Sequence, residues 1–179
     1  MSIKFNIKTG PKKRSKALIL LAQREYIKRE FGDYNQLEDL EDTNTPWDWD
    51  HIFPKSWIWG EGDLEKYWSG RIGNFRAMSL EGNRSENDNF SPAKRLSPDI
   101  CKDESVEEKE VAFQQMLRDY FIDKERDLPY WEQITTRCRY MDKSRQPDFE
   151  KNFAEAIIRR SVNIYRSFYE LFEIPDWRG

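Results

Sequence analysis

The 179-residue chain contains a single histidine, His51, and it directly follows an acid in "WDWDHIFPKSW". A neutral imidazole, with an unperturbed pKa of roughly 6.5, accepts a proton from water at a pH where Lys, Arg and Tyr cannot. His51 is therefore the natural general base of any hydrolytic chemistry here. Asp50 beside it is a hard oxygen donor of the kind that Mg²⁺ or Mn²⁺ prefers, which makes it the natural metal ligand. An Asp-His pair alone is more often a surface turn with an inert, hydrogen-bonded imidazole, so the chemistry needs support from elsewhere in the chain.

That support lies downstream in "GRIGNFRAMSLEGNRSENDNFSPAKRL". Asn74 opens a short apolar run that reads as a strand, and Asn83 follows nine positions later in an Asn-rich turn. Taken alone, Asn83, Asn87 and Asn89 would satisfy turn and helix-cap geometry. Taken with Asp50 and His51, the order Asp-His, strand, Asn, strand, Asn resembles the HNH (His-Me finger) endonucleases. "DWDHIFPKS", "GNFRAMS" and "GNRSENDN" resemble the three segments of the HNH domain in RNA-guided nucleases. They are still more similar to the C-terminal nuclease domain of GmrSD-type restriction and phage-defence proteins.

The resemblance implies a ββα-metal unit that holds one divalent cation, Mg²⁺ or Mn²⁺, against a scissile phosphate. It makes His51 the catalytic base, Asp50 and Asn83 the metal ligands, and Asn74 the brace that fixes the loop bearing the histidine. An amide carries both donors and an acceptor, which suits bridging two backbones. Lys55, Arg84, Lys94 and Arg95 are the expected nucleic-acid contacts. Some relatives place a Lys shortly after the last Asn, whereas Arg84 follows it here and position 86 is Glu86. The implied function is a metal-dependent endonuclease cutting DNA, with RNA left open, in a restriction or antiphage system. An upstream regulatory or NTP-binding domain, or a partner protein, could switch such a module, and the chain reads either as an excised domain or as a stand-alone relative. The alternative is a catalytically silent HNH-like module that binds nucleic acid or protein.

Other chemistries find less support. One His and two distant cysteines, Cys101 and Cys138, do not supply the three-ligand set of a zinc enzyme. Asp48, Asp50 and Asp63 have no spacing that suggests a carboxylate-only two-metal site. Two cysteines are also too few for a disulfide framework, and the expected compartment is a reducing cytoplasm.

The elements that must position these residues follow from composition and periodicity. A chain of this length can bury about 70% of its unfolded surface, and 15% aromatic residues with seven Trp supply the core. Charged residues make up 35% of the chain and mean hydropathy is −0.95, which argues against a membrane span. A net charge of −3 does not suit an avid, unselective DNA binder, so clusters such as Lys12, Lys13, Arg14 and Lys16, or Arg159, Arg160 and Arg166, matter more than the sum. Most such clusters form solvated faces; one or two are expected to approach phosphates.

The spacing predicts an N-terminal arm, then a helix from Ser15 to Phe31 that Gly32 ends. It predicts an amphipathic helix with an apolar stripe of Phe113, Met116, Leu117, Tyr120 and Phe121, and a shorter helix from Pro129. A long helix from Pro147 places Phe149, Phe153, Ile157, Ile164, Phe168 and Phe172 on one face. Trp57, Trp59, Tyr67 and Trp68 are expected to pack the ββα unit onto these helices, the helix of that unit being short and lying near Asn83 through Asn89. The fold class is α+β, mostly α, in one domain: arm and helix over 1–46, the ββα-metal core over about 47–97, and a helical part over 98–179.

Overall fold

The computed structural model describes residues 11–32, 45–57, 68, 70–80, 82–83, 90–100, 105–135, 137 and 146–172. Its helices are α1 (Pro11–Ala22), α2 (Arg24–Phe31), α3 (Pro92–Arg95), α4 (Val106–Asp119), α5 (Leu128–Glu132) and α6 (Gln146–Leu171). Two strands, β1 (Trp47–His51) and β2 (Phe75–Ser79), form an antiparallel ribbon, so the fold is α+β and mostly helical. None of the described helices is long and apolar enough to cross a membrane.

The first helix departs from expectation at both ends of its first half. It begins at Pro11 rather than Ser15, because a proline in the first turn lacks only an N–H that would have had no intrahelical partner. It then breaks at Gln23. The Gln23 side chain accepts from Ala77 N–H at 2.8 Å and donates to Ala77 C=O at 3.3 Å. One amide thus occupies the open edge of β2, which a two-stranded ribbon otherwise leaves to solvent. Gly32 ends α2 as expected, at φ 67°.

In the ribbon, Asp50 faces Arg76 and His51 faces Phe75 across the pair. Side chains alternate along a strand, so Asp48 and Asp50 share one face while Trp47, Trp49 and His51 share the other. The second face packs on the N-terminal helices through Leu20, Ile27, Trp47 and Ala77. Strand β2 is buried along Phe75, Arg76, Ala77 and Met78 rather than on alternate residues. Arg76 lies under the far face, its guanidinium 4.8 Å from the Tyr120 ring centre.

The C-terminal helices build the main core. Ser105 caps α4 and exchanges a capping box with Glu108, satisfying two first-turn donors. The helix stops at Asp119, so Phe121 does not continue its stripe: Phe121 adopts φ 58°, with Phe121 N–H bonded to Arg118 C=O and Ile122 N–H to Leu117 C=O. Helix α6 turns Phe149, Phe153, Ile157, Ile164 and Phe168 inward. Phe172, expected on that face, is 58% exposed: it lies just past the end of α6, and although Phe172 N–H still bonds to Phe168 C=O, its ring is not covered. Phe53, Trp57, Phe113 and Trp131 meet α6 in one cluster, with Trp68 packed against it. Trp57 and Trp68 are therefore packing residues, while Trp59 and Tyr67 lie outside the described residues.

Candidate active site

Asn74 is fully buried and ties the start of β2 to the turn after β1. Its Oδ1 accepts from Phe53 N–H at 2.9 Å and its Nδ2 donates to Phe53 C=O at 3.2 Å. Ile52 N–H adds a bond to Asn74 C=O at 3.0 Å. These three contacts bracket the backbone just after His51.

A second anchor, which the sequence did not suggest, holds the backbone around Asn74 from behind. Arg160 of α6 is fully buried, and its guanidinium donates to the C=O groups of Gly73 at 2.8 Å, Phe75 at 2.6 Å and Tyr120 at 2.6 Å. The helix comes so close that a Cβ on Gly73 would lie 2.1 Å from Ile157 C=O. Arg160 was expected on a solvated face or at a phosphate; its partners are backbone carbonyls 85 and more residues away along the chain for the turn.

His51 is half-buried, with its ring centre 4.3 Å from that of Phe75. Its Nε2 is enclosed and has no hydrogen-bond partner among the described residues. Burial, and then the charge of Lys55, push its pKa down to about 4. The imidazole is therefore neutral at physiological pH, the state a base requires.

Asp50 is 8% exposed and occupies a more constrained position than a free metal ligand. Its Oδ2 accepts from Arg76 Nε and from an Arg95 terminal nitrogen, each at 2.8 Å. Burial pushes this carboxyl up, and the Arg76 and Arg95 guanidiniums together more than reverse that, holding it below the usual carboxylate range. Arg95 is 1% exposed and also donates to Phe90 C=O. Its expected role as a phosphate contact is corrected to that of an internal counter-charge, because a buried guanidinium already bound to a carboxylate does not reach a ligand. Lys55 and Lys94 remain exposed, the Lys94 ammonium lying 4.1 Å from the Phe90 ring centre. Arg84 lies outside the described residues.

Asn83 meets Asp48 rather than Asp50, donating from Nδ2 to Asp48 Oδ2 at 2.8 Å. Asp48 is thus a member of the site that sequence reasoning missed; the available signal was its i, i+2 spacing from Asp50 on one strand.

The donors on this face are all oxygen: Asp50 Oδ1, Asn83 Oδ1 and the Asp48 carboxylate. Neither Asp50 Oδ1 nor Asn83 Oδ1 has a hydrogen-bond partner among the described residues. No group of three or more His, Cys, Asp or Glu forms a metal cage among the described residues. Such a set fits Mg²⁺ or Mn²⁺ held by one or two carboxylates, with water and a phosphate completing the shell. Comparisons with protein-family models, with curated proteins and with solved structures return no match.

Proposed function

We propose that this protein is a metal-dependent endonuclease of the HNH type, with β1 and β2 as the strands of its ββα-metal unit and the short helix expected up to Asn89 falling largely outside the described residues, and that it hydrolyses phosphodiester bonds of DNA. The observation that carries the reading is the neutral, half-buried imidazole of His51 on backbone bracketed by Asn74. Resemblance in the three segments containing Asp50, Asn74 and Asn83 supplies the reaction class.

On this reading Asp50 and Asn83, with Asp48 beside them, hold the Mg²⁺ or Mn²⁺. When bound, the ion neutralises charge developing on the phosphate and on the leaving oxygen. The neutral His51 imidazole takes a proton from the attacking water as the water oxygen bonds to phosphorus. The P–O3′ bond breaks and the 3′ oxygen is protonated by solvent, giving a 5′ phosphate and a 3′ hydroxyl. Asn74 touches no substrate; it is a positioning residue that keeps the backbone beside His51 fixed. Lys55 and Lys94 supply exposed positive charge for the nucleic-acid backbone. A restriction or antiphage role follows from the resemblance, and a content of two cysteines suits a reducing cytoplasm.

One observation favours a second reading, a silent module that binds DNA or protein without cutting. Two guanidiniums share the Asp50 carboxylate, which leaves a local charge of the wrong sign for a cation. Cleavage of supercoiled plasmid with Mg²⁺ or Mn²⁺ separates the two readings. The nuclease reading expects nicking or linearisation that EDTA abolishes and that His51→Ala lowers by about 10²–10⁴, the usual contribution of a positioned base. Equal cleavage by His51→Ala and wild type would sink it, and DNA binding without cleavage in either metal would favour the silent module.

A further inference from the structure

Two lysines border the histidine end of the ribbon: Lys16, which has had no role so far, and Lys55, so far placed only generally at the nucleic-acid backbone. Lys16, on α1, is half-buried, and its ammonium lies 5.0 Å from the centre of the Trp49 ring. Trp49 and His51 are two residues apart on β1 and share one face, so Lys16 stands on the side of the ribbon where the imidazole is. Lys55 is exposed in the turn Lys55–Trp57, four residues beyond His51.

Neither ammonium has an ion pair or a hydrogen bond among the described residues. The carboxylate whose charge reaches Lys16 is Asp48, and its oxygens are taken by Asn83 Nδ2 at 2.8 Å and by Trp49 N–H at 2.7 Å. Lys16 lies over the Trp49 ring and Lys55 stands in the turn that follows His51, so both ammoniums border the histidine end of β1. Two like charges thus border the histidine end of the ribbon, and the Asp48 carboxylate is already hydrogen-bonded. Partial burial of an unpaired ammonium is unfavourable unless an anion joins it.

We propose that Lys16 and Lys55 together form the cradle for one backbone phosphate of the nucleic acid, with Lys16 reaching it from α1, its ammonium beside the indole of Trp49. This inference rests on the nuclease reading and names the residues that hold its substrate beside His51. An ammonium on a flexible stem suits a phosphate as a point charge and reads no base. The contact is therefore indifferent to sequence and sensitive to salt.

Binding measured apart from cleavage tests it. Anisotropy of a short fluorescent duplex in EDTA, titrated at increasing salt, reads the number of phosphates the protein neutralises. Each phosphate contact contributes about 0.9 to the slope of log K against log salt. Lys16→Ala and Lys55→Ala are each expected to lower that slope by about one contact, Lys16→Arg to retain it, and Lys28→Ala, exposed on α2, to leave it unchanged. Lys16→Gln, which keeps most of the stem, is expected to match Lys16→Ala, separating loss of charge from loss of packing. A wild-type slope in both Lys16→Ala and Lys16→Gln, or an equal drop in Lys28→Ala, overturns the cradle while leaving the nuclease reading intact. No duplex binding by wild type at any salt, together with no plasmid cleavage, removes both.

Discussion

Asp50→Asn is expected to cost stability even where no metal is present, because the carboxylate is the counter-charge of two buried guanidiniums. Arg76 is fully buried and Arg95 is 1% exposed, and each places a nitrogen 2.8 Å from Asp50 Oδ2. An amide of the same shape keeps the contacts but removes the charge. Breaking one buried ion pair by removing a partner typically costs about 3–5 kcal/mol, a large part of the roughly 5–15 kcal/mol that holds a domain folded. For a chain of this size each kcal/mol corresponds to about 2–4 °C in Tm, so the expected loss is about 6–20 °C. The assay is thermal and urea unfolding of both proteins in EDTA.

The pH dependence identifies the cause. The folded-state pKa of Asp50 is depressed, so its contribution is fully present above the unfolded carboxylate value, roughly 3.9, and is lost as pH falls through the folded value. The gap between wild type and Asp50→Asn should therefore be level near neutrality and close only below about pH 4. If Asp50 were solely a metal ligand, the two proteins would unfold together in EDTA. A difference under about 1 kcal/mol, no more than an exposed pair contributes, would refute the counter-charge argument.

Two further outcomes are expected. Because burial and Lys55 push the His51 pKa down to about 4, the imidazole stays neutral on the acid side of its ordinary value; the acid limb of kcat/KM for cleavage should approach pH 4, and a limb at about 6.5, the unperturbed value, would show that the site does not enclose the ring. Gly73→Ala would drive a Cβ to 2.1 Å from the Ile157 backbone oxygen, so it should destabilise by about 1–3 kcal/mol or more, and an unchanged urea midpoint would mean that α6 does not pack against this turn as described.

The strand that follows Asn74 and the end of the N-terminal helices at Gly32 were legible because each rests on a local pattern. A cap, a proline in a first turn or an apolar period acts over a few residues, and the sequence displays it directly. The electrostatic interior was not legible. Arg76, Arg95 and Arg160 read as surface charge by type, since arginine is rarely buried without a partner, and their partners lie far along the chain. Asp50 meets Arg76 and Arg95 at separations of 26 and 45 residues, and Arg160 meets Phe75 C=O at 85. No local period encodes such pairings; they exist only once the ribbon register and the path of α6 are set. The same holds for Gln23, whose break in the first helix is explained by an amide bound to Ala77, 54 residues on. The consequence bears on the site itself. A reading by residue type assigns Asp50 wholly to a cation, whereas the fold divides its carboxylate, with Oδ2 given to two arginines and Oδ1 left without a partner among the described residues. Any cation held there meets a carboxylate already shared, so its retention must lean on Asn83, Asp48 and the substrate phosphate more than on Asp50.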